Sequence, residues 1–114
     1  MADHLVLTID VENGALQSAF WCGALNYEER FDADQFRGLF PREGTGMQLL
    51  LQEVGEVKSA KNRMHIDLHV ADVEQEVARL VALGATEVAR QSQFDVDWVT
   101  MHDPEGNEFC VVPS

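Results

Sequence analysis

The chain has 114 residues, 46% of them hydrophobic: enough for one compact domain with a real core, too few for two independent ones. Twenty acidic residues against eight basic ones give a net charge of −12, which argues against nucleic acid or an anionic membrane as partner, since phosphate binding draws on a basic surface. Two cysteines make no disulfide framework, no run approaches membrane-spanning length, and Leu5–Ile9 is too short and interrupted for a signal peptide, so a cytoplasmic location is expected.

In chain order, His4–Val11 alternates and is rich in β-branched residues, the pattern of a strand. Asn13-Gly14 opens a helix with Asn13 as N-cap; Leu16, Phe20, Gly23 and Ala24 recur at helical spacing, and Trp21 and Leu25 widen the stripe. Asn26 closes it, being tolerant of a left-handed backbone. Tyr27–Phe31 and Gln35–Phe40 read as strands around polar Asp32-Ala33-Asp34, and Pro41 through Gly46 as a turn. Met47–Val54 is a strand with Leu49 and Leu51 on one face and Gln48, Leu50 and Gln52 on the other.

Gly55–Arg63 is charged and rich in small residues, a linker between a first module over 1–54 and a second over 64–114. Met64–Val70 then alternates strictly. Met64, Ile66, Leu68 and Val70 point one way, and His65, Asp67 and His69 the other. Asp72, with Gln75 three residues on, caps the next helix, whose buried stripe is Val73, Val77, Leu80 and Val81 and whose stop is Gly84. Thr86–Arg90 is a strand, Gln91–Asp95 a loop, Asp97–His102 a strand, Asp103–Asn107 a tight turn and Glu108–Val112 the last strand. The order strand, helix and three strands occurs twice, and His4-Leu5-Val6-Leu7-Thr8-Ile9 matches His65 to Val70 at His, Leu and flanking aliphatics, which points to duplication.

Ala19-Phe20-Trp21 with Ala24-Leu25, Asn62 to Leu68, Leu83-Gly84-Ala85 and the run Asp103-Pro104-Glu105-Gly106-Asn107-Glu108-Phe109 together resemble the vicinal-oxygen-chelate superfamily, and within it the short glyoxalase-like proteins. Asn26 departs from the pattern, where glycine is frequent. The resemblance implies an α+β fold of two βαβββ modules forming a curved mixed-sheet cup as a single glyoxalase-like domain. It implies helices on the convex side, over Ile66, Leu68 and Val70, and a ligand cavity on the concave side.

Metal-dependent members take one ligand from the first and last strand of each module, and the ion acts as a Lewis acid on two adjacent substrate oxygens. His65 fits one of those positions. Cys110 stands where a glutamate is expected, with Glu108 one pleat away; the other last strand offers Gln52 or Leu50, and the other first strand His4 or Val6. The set is incomplete, so no cofactor and no tightly bound catalytic metal are expected; a divalent ion, if held, would take His4, His65, Glu108 and Cys110. Without an ion, His65 and Asp67 are the candidates for acid–base work, and Gln52, His69, Trp98, His102 and Cys110 for ligand binding, Trp98 as an aromatic wall. The expected function is binding of a small organic molecule by a homodimer; the alternative is a lyase, isomerase or dioxygenase centred on His65.

Overall fold

The computed structural model describes His4, residues 6–62 and residues 64–114; Leu5 of the expected first strand and Arg63 of the expected linker lie outside the described residues. The chain divides into two compact units, Met1–Val57 and Lys58–Ser114.

The first unit runs β1 (Val6–Val11), α1 (Gly14–Leu25), β2 (Tyr27–Ala33), β3 (Phe36–Pro41) and β4 (Gln48–Glu53), with sheet order β1-β4-β3-β2. β1 runs parallel to β4 and the other pairs are antiparallel. A parallel pair needs a crossover, and α1 with the β2–β3 hairpin supplies it. Helix α1 starts where Asn13 Oδ1 accepts the Leu16 N–H at 3.0 Å and Glu53 Oε1 accepts the Gly14 N–H at 2.9 Å, two of the four N–H groups a helix start leaves unpaired. It ends at Asn26, whose φ of 57° is left-handed.

The buried face of α1 is Gln17, Phe20, Trp21 and Ala24, with Phe20 and Trp21 edge to face at 5.0 Å. Leu16, expected in that stripe, is 48% exposed. At about 100° per residue it lies to one side of the arc centred on Gln17, Trp21 and Ala24, and the face follows those side chains rather than the run of apolar letters.

The second unit repeats the plan: β5 (Ile66–Val70), α2 (Val73–Leu83), β6 (Thr86–Gln93), β7 (Val96–His102) and β8 (Glu108–Pro113), in sheet order β5-β8-β7-β6 with β5 parallel to β8. Asp72 Oδ1 accepts the Gln75 N–H at 3.0 Å and Gly84 closes α2 with a left-handed φ of 118°, as the sequence predicts. Val77 and Leu80 from the helix meet Val99, Met101, Phe109 and Val111 in the core, while Val81, expected there, is exposed. Met64 and His65 precede the strand they were expected to open, and Met64 is exposed; alternation holds from Ile66 to Val70.

The expected loop at Gln91–Asp95 is mostly strand. β6 continues to Gln93 and pairs with β7 down to Val96, and the turn is only Phe94 and Asp95, with φ of 54° and 60°. Two successive left-handed residues make the turn whose twist suits a hairpin. Phenylalanine is not a residue that composition marks as a turn, which is why the sequence pattern hides it. β2 likewise runs on through Asp32 and Ala33, and Asp34 takes a left-handed φ of 55° in its turn. Between β7 and β8, buried Asp103 Oδ1 accepts the N–H groups of Glu105 and Asn107 at 2.9 and 3.0 Å, and the Asn107 amide donates back to Oδ2 at 2.9 Å.

Strand registers align the two units residue by residue. Leu50 pairs with Thr8 and Gly38, as Cys110 pairs with Asp67 and Thr100. Both hairpins carry a register shift at the same place, between Glu29 and Phe31 and between Glu87 and Ala89. Thr8 therefore corresponds to Asp67, and two residues earlier Val6 corresponds to His65. The match of His4 with His65 is thus two residues out, and His4 lies before β1. Among the described residues no helix is long and apolar enough to cross a membrane.

Phe109 is fully buried whereas Asp67 has a half-exposed side chain. Phe109→Ala should therefore cost about 3–5 kcal/mol of stability, and Asp67→Ala should leave the melting temperature nearly unchanged. Thermal unfolding of the two variants with the opposite ranking would contradict this facing of β5 and β8.

Candidate functional site

One face of the second unit's sheet borders a cavity of about 480 Å³. Its lining has the period of two that a pleated strand imposes: Asp67 from β5, Glu108, Cys110 and Val112 from β8, Val96, Trp98 and Thr100 from β7, Gln91 and Gln93 from β6. Lys61 and His65, before β5, and Phe94, at the hairpin tip, complete it. Trp98, Val96, Val112 and Phe94 form an apolar wall, and Phe94 is 89% exposed.

The polar end is organised by the pairing of β5 with β8. Register sets Asp67 beside Cys110, and His65 comes two residues earlier. His65 Nε2 lies 3.1 Å from Asp67 Oδ1, and one donor atom each of His65, Asp67 and Cys110 fall within 4.8 Å of one another. Cys110 Sγ also lies 3.7 Å from Thr100 Oγ1. Burial pushes the Cys110 thiol up, and the charge of Asp67 together with its acceptance of the thiol proton adds to this, while Thr100 opposes it. Burial and the Asp67 carboxylate both disfavour the thiolate that nucleophilic chemistry needs.

Glu108 is tied differently. Its carboxylate accepts the Asn62 N–H at 3.0 Å and the Lys58 ammonium at 3.4 Å, fastening the segment before β5 to the last strand. Burial alone would raise its pKa, but these donors outweigh it and hold the carboxyl below the usual range. Glu108 therefore stays ionised and occupied at neutral pH.

Of the residues singled out from sequence, His65, Asp67, Trp98, Glu108 and Cys110 line one cavity. His69 shares the face of Asp67 but is exposed and outside the lining, and His102 lies at the far end of β7 opposite Glu108, also outside it. Gln52 and His4 belong to the first unit. Sequence reasoning missed Thr100, Gln91, Gln93 and Phe94. Their signal was the alternation Gln91, Gln93 and Val96, Trp98, Thr100, which is visible once the hairpin is recognised.

In the first unit the corresponding face carries an aromatic ring at its centre. Phe31 stands where the second unit has Ala89, and its ring lies so close over Gly38, the counterpart of Thr100, that a Cβ there would collide with it. Phe40 flanks that ring at 6.4 Å between centroids.

The model of the glyoxalase-like domain matches residues 6–112, nearly the whole chain. The chain belongs to the glyoxalase-like domain family. Its duplicated βαβββ units place it in the vicinal-oxygen-chelate superfamily. It is similar in fold to a glyoxalase/bleomycin resistance protein/dioxygenase family enzyme from Burkholderia phytofirmans, with TM-score 0.78, 18% identity and 95% of each chain covered. It is also similar to a mutant of the fosfomycin resistance protein FosX from Listeria monocytogenes, complexed with manganese(II) and 1S,2S-dihydroxypropylphosphonic acid (TM-score 0.80, 18% identity, 98% of this chain and 90% of that one). FosX from Mesorhizobium loti aligns with TM-score 0.74 at 14% identity over 100% of this chain and 94% of that one. No curated protein sequence matches the chain.

The four-strand metal site of the superfamily does not fit this glyoxalase-like chain. Registers put Val6 and Leu50 in the first unit at the positions corresponding to His65 and Cys110. Neither side chain can bind an ion.

The state of Cys110 is directly checkable. Alkylation by iodoacetamide, followed by mass spectrometry of the Cys110 peptide, should be slow at neutral pH and accelerate only above the ordinary thiol range of about 8.5. Asp67→Asn, which removes the neighbouring charge, should shift that acceleration to lower pH. Fast labelling of native protein at neutral pH would contradict the assignment.

Proposed function

We propose that this glyoxalase-like protein binds a small organic molecule in the cavity of its second unit. The observation that carries the reading is the cavity itself. Its volume of about 480 Å³ falls in the range of roughly 300–1,000 Å³ typical of small-molecule sites. An apolar wall of Trp98, Val96 and Val112 suits an apolar body, and Asp67, Thr100 and His65 converge at one end to orient a polar group. Phe94, held with a left-handed backbone at the hairpin tip, extends the wall into solvent. The FosX protein of Listeria, complexed with a three-carbon phosphonic acid, shows that this fold accommodates small polar molecules.

A second reading, catalysis, is favoured by the pairing of His65 with Asp67 at 3.1 Å. A carboxylate beside Nε2 favours the proton on that nitrogen and leaves Nδ1 as the acceptor, the arrangement of a general base. The manganese-type Lewis-acid chemistry of relatives is not carried over, because the hard donors it needs are absent at the corresponding positions.

A thermal-shift screen against fragment-sized aromatic acids, amides and alcohols tests the binding reading. A compound that occupies the cavity raises the melting temperature by mass action, by about 2.7 kcal/mol at a hundred times its Kd. The stabilisation should vanish in Trp98→Ala and shrink in Phe94→Ser. Hits that stabilise both variants as well as the parent would show that they bind elsewhere and would reject the assignment.

A further inference from the structure

We infer that the cavity of the second unit selects an organic cation, an aromatic amine with its ammonium group on a short carbon chain. Asp67 is the counter-ion and Trp98 the seat of the ring. The inference rests on the binding reading above and adds the ligand's charge and shape. Of the acids in the lining, Glu108 is matched by the Lys58 ammonium at 3.4 Å in a largely shielded pair. Asp67 is not matched in this way. Among the described residues it meets no lysine or arginine; its partners are the His65 imidazole at 3.1 Å and the Cys110 thiol. A carboxylate offers about four acceptor sites, more than those two partners use. Its side chain is 47% exposed, so a ligand donor can reach it. Lys61, the basic residue of the lining, is exposed on the segment before β5, whereas Asp67 is rooted in a paired strand. The net charge of −12 concentrates cations around the chain and repels anions.

Register sets the shape. Asp67 pairs with Cys110 and Cys110 with Thr100, and Trp98 lies two residues from Thr100 along β7. Crossing two strands and moving two residues along puts the backbones of Asp67 and Trp98 roughly 12 Å apart. The floor between them is made of the small side chains of Cys110 and Thr100. The carboxylate and the indole thus stand at two ends of one trough, and a ring joined to an ammonium group by a short chain spans it. The indole face also attracts the cation through its quadrupole, and Phe94 adds a second ring at the rim. The first unit has Thr8 at the place of Asp67, so this selection belongs to the second unit alone.

The test is calorimetric titration of the full chain, at neutral pH and low salt, with three probes of one shape. These are phenethylamine, phenethyl alcohol and hydrocinnamate: a cation, a neutral molecule and an anion. An alkylammonium group, with a pKa like that of lysine at about 10.4, is charged there. Phenethylamine should bind at least about tenfold more tightly than the alcohol, the usual worth of a charged hydrogen bond, with hydrocinnamate weakest. Asp67→Asn should retain the circular dichroism of the parent and bring the amine down to the alcohol's affinity. Trp98→Ala should weaken amine and alcohol alike, and added salt should weaken the amine alone. Equal binding of amine and alcohol, an amine preference that survives in Asp67→Asn, or hydrocinnamate binding tightest and lost in Lys61→Ala would each overturn the inference. In those three outcomes a probe still binds, so the cavity reading stands. Binding of none of the three would overturn the charge and the shape together, while the fragment screen judges the cavity independently.

Discussion

The structure of each unit depends on one parallel pairing, that of its first strand with its last. Parallel neighbours cannot be joined by a short turn, so the chain between them must leave the sheet and return, and the capped helix and hairpin occupy that interval. In the second unit the same pairing sets Asp67 against Cys110 and, from the other side of β8, Thr100 against Cys110. A one-residue slip would turn all three away from the cavity and bury charges in their place. The polar end of the cavity is thus a consequence of register, and the apolar core of Phe109, Val111, Val99 and Met101 on the opposite face holds that register in place.

The duplicated units have diverged on that face by a few substitutions with simple steric meaning. In the first unit an aromatic ring, Phe31, lies over Gly38; in the second the same place has Ala89 beside Thr100. The hairpin of the second unit is also longer. β6 and β7 pair for two more residues each beyond the Gln91–Trp98 pair than β2 and β3 do beyond Ala33–Phe36, and that extension brings Gln93, Phe94 and Val96 to the cavity. Placing a bulky residue in a left-handed turn is costly, and such positions gather at functional sites.

Much of this was legible in the chain. Asn13, Asn26, Asp72 and Gly84 announce the helix ends because capping is local chemistry. The alternation of Ile66 to Val70 announces a strand with one ionisable face for the same reason. What escaped was non-local or disguised. Phe94 and Asp95 carry no turn composition, so the hairpin read as a loop. For the strand position matching His65 the strand pattern points to His4 and alignment back from Phe20-Trp21 favours Val6, and the registers through Leu50 and Cys110 agree with Val6. Counting ligands along the superfamily pattern passed over Asp67, because its nearness to Cys110 is a property of two strands and not of one. His69 and His102 share the cavity's face and pair with its lining residues Val112 and Glu108, without themselves belonging to the lining.

We propose that the sheet face of the second unit, rather than the corresponding face of the first where Phe31 lies over Gly38, is where this glyoxalase-like protein meets its ligands. Backbone amide and methyl resonances give the most direct measurement, followed while a stabilising fragment is titrated into isotopically labelled protein. The account predicts shifts centred on Asp67, Thr100, Cys110 and Val112, with Thr8, Gly38 and Leu50 unmoved. Shifts centred on Gly38, Phe31 and Leu50, with Cys110 and Thr100 silent, would contradict it.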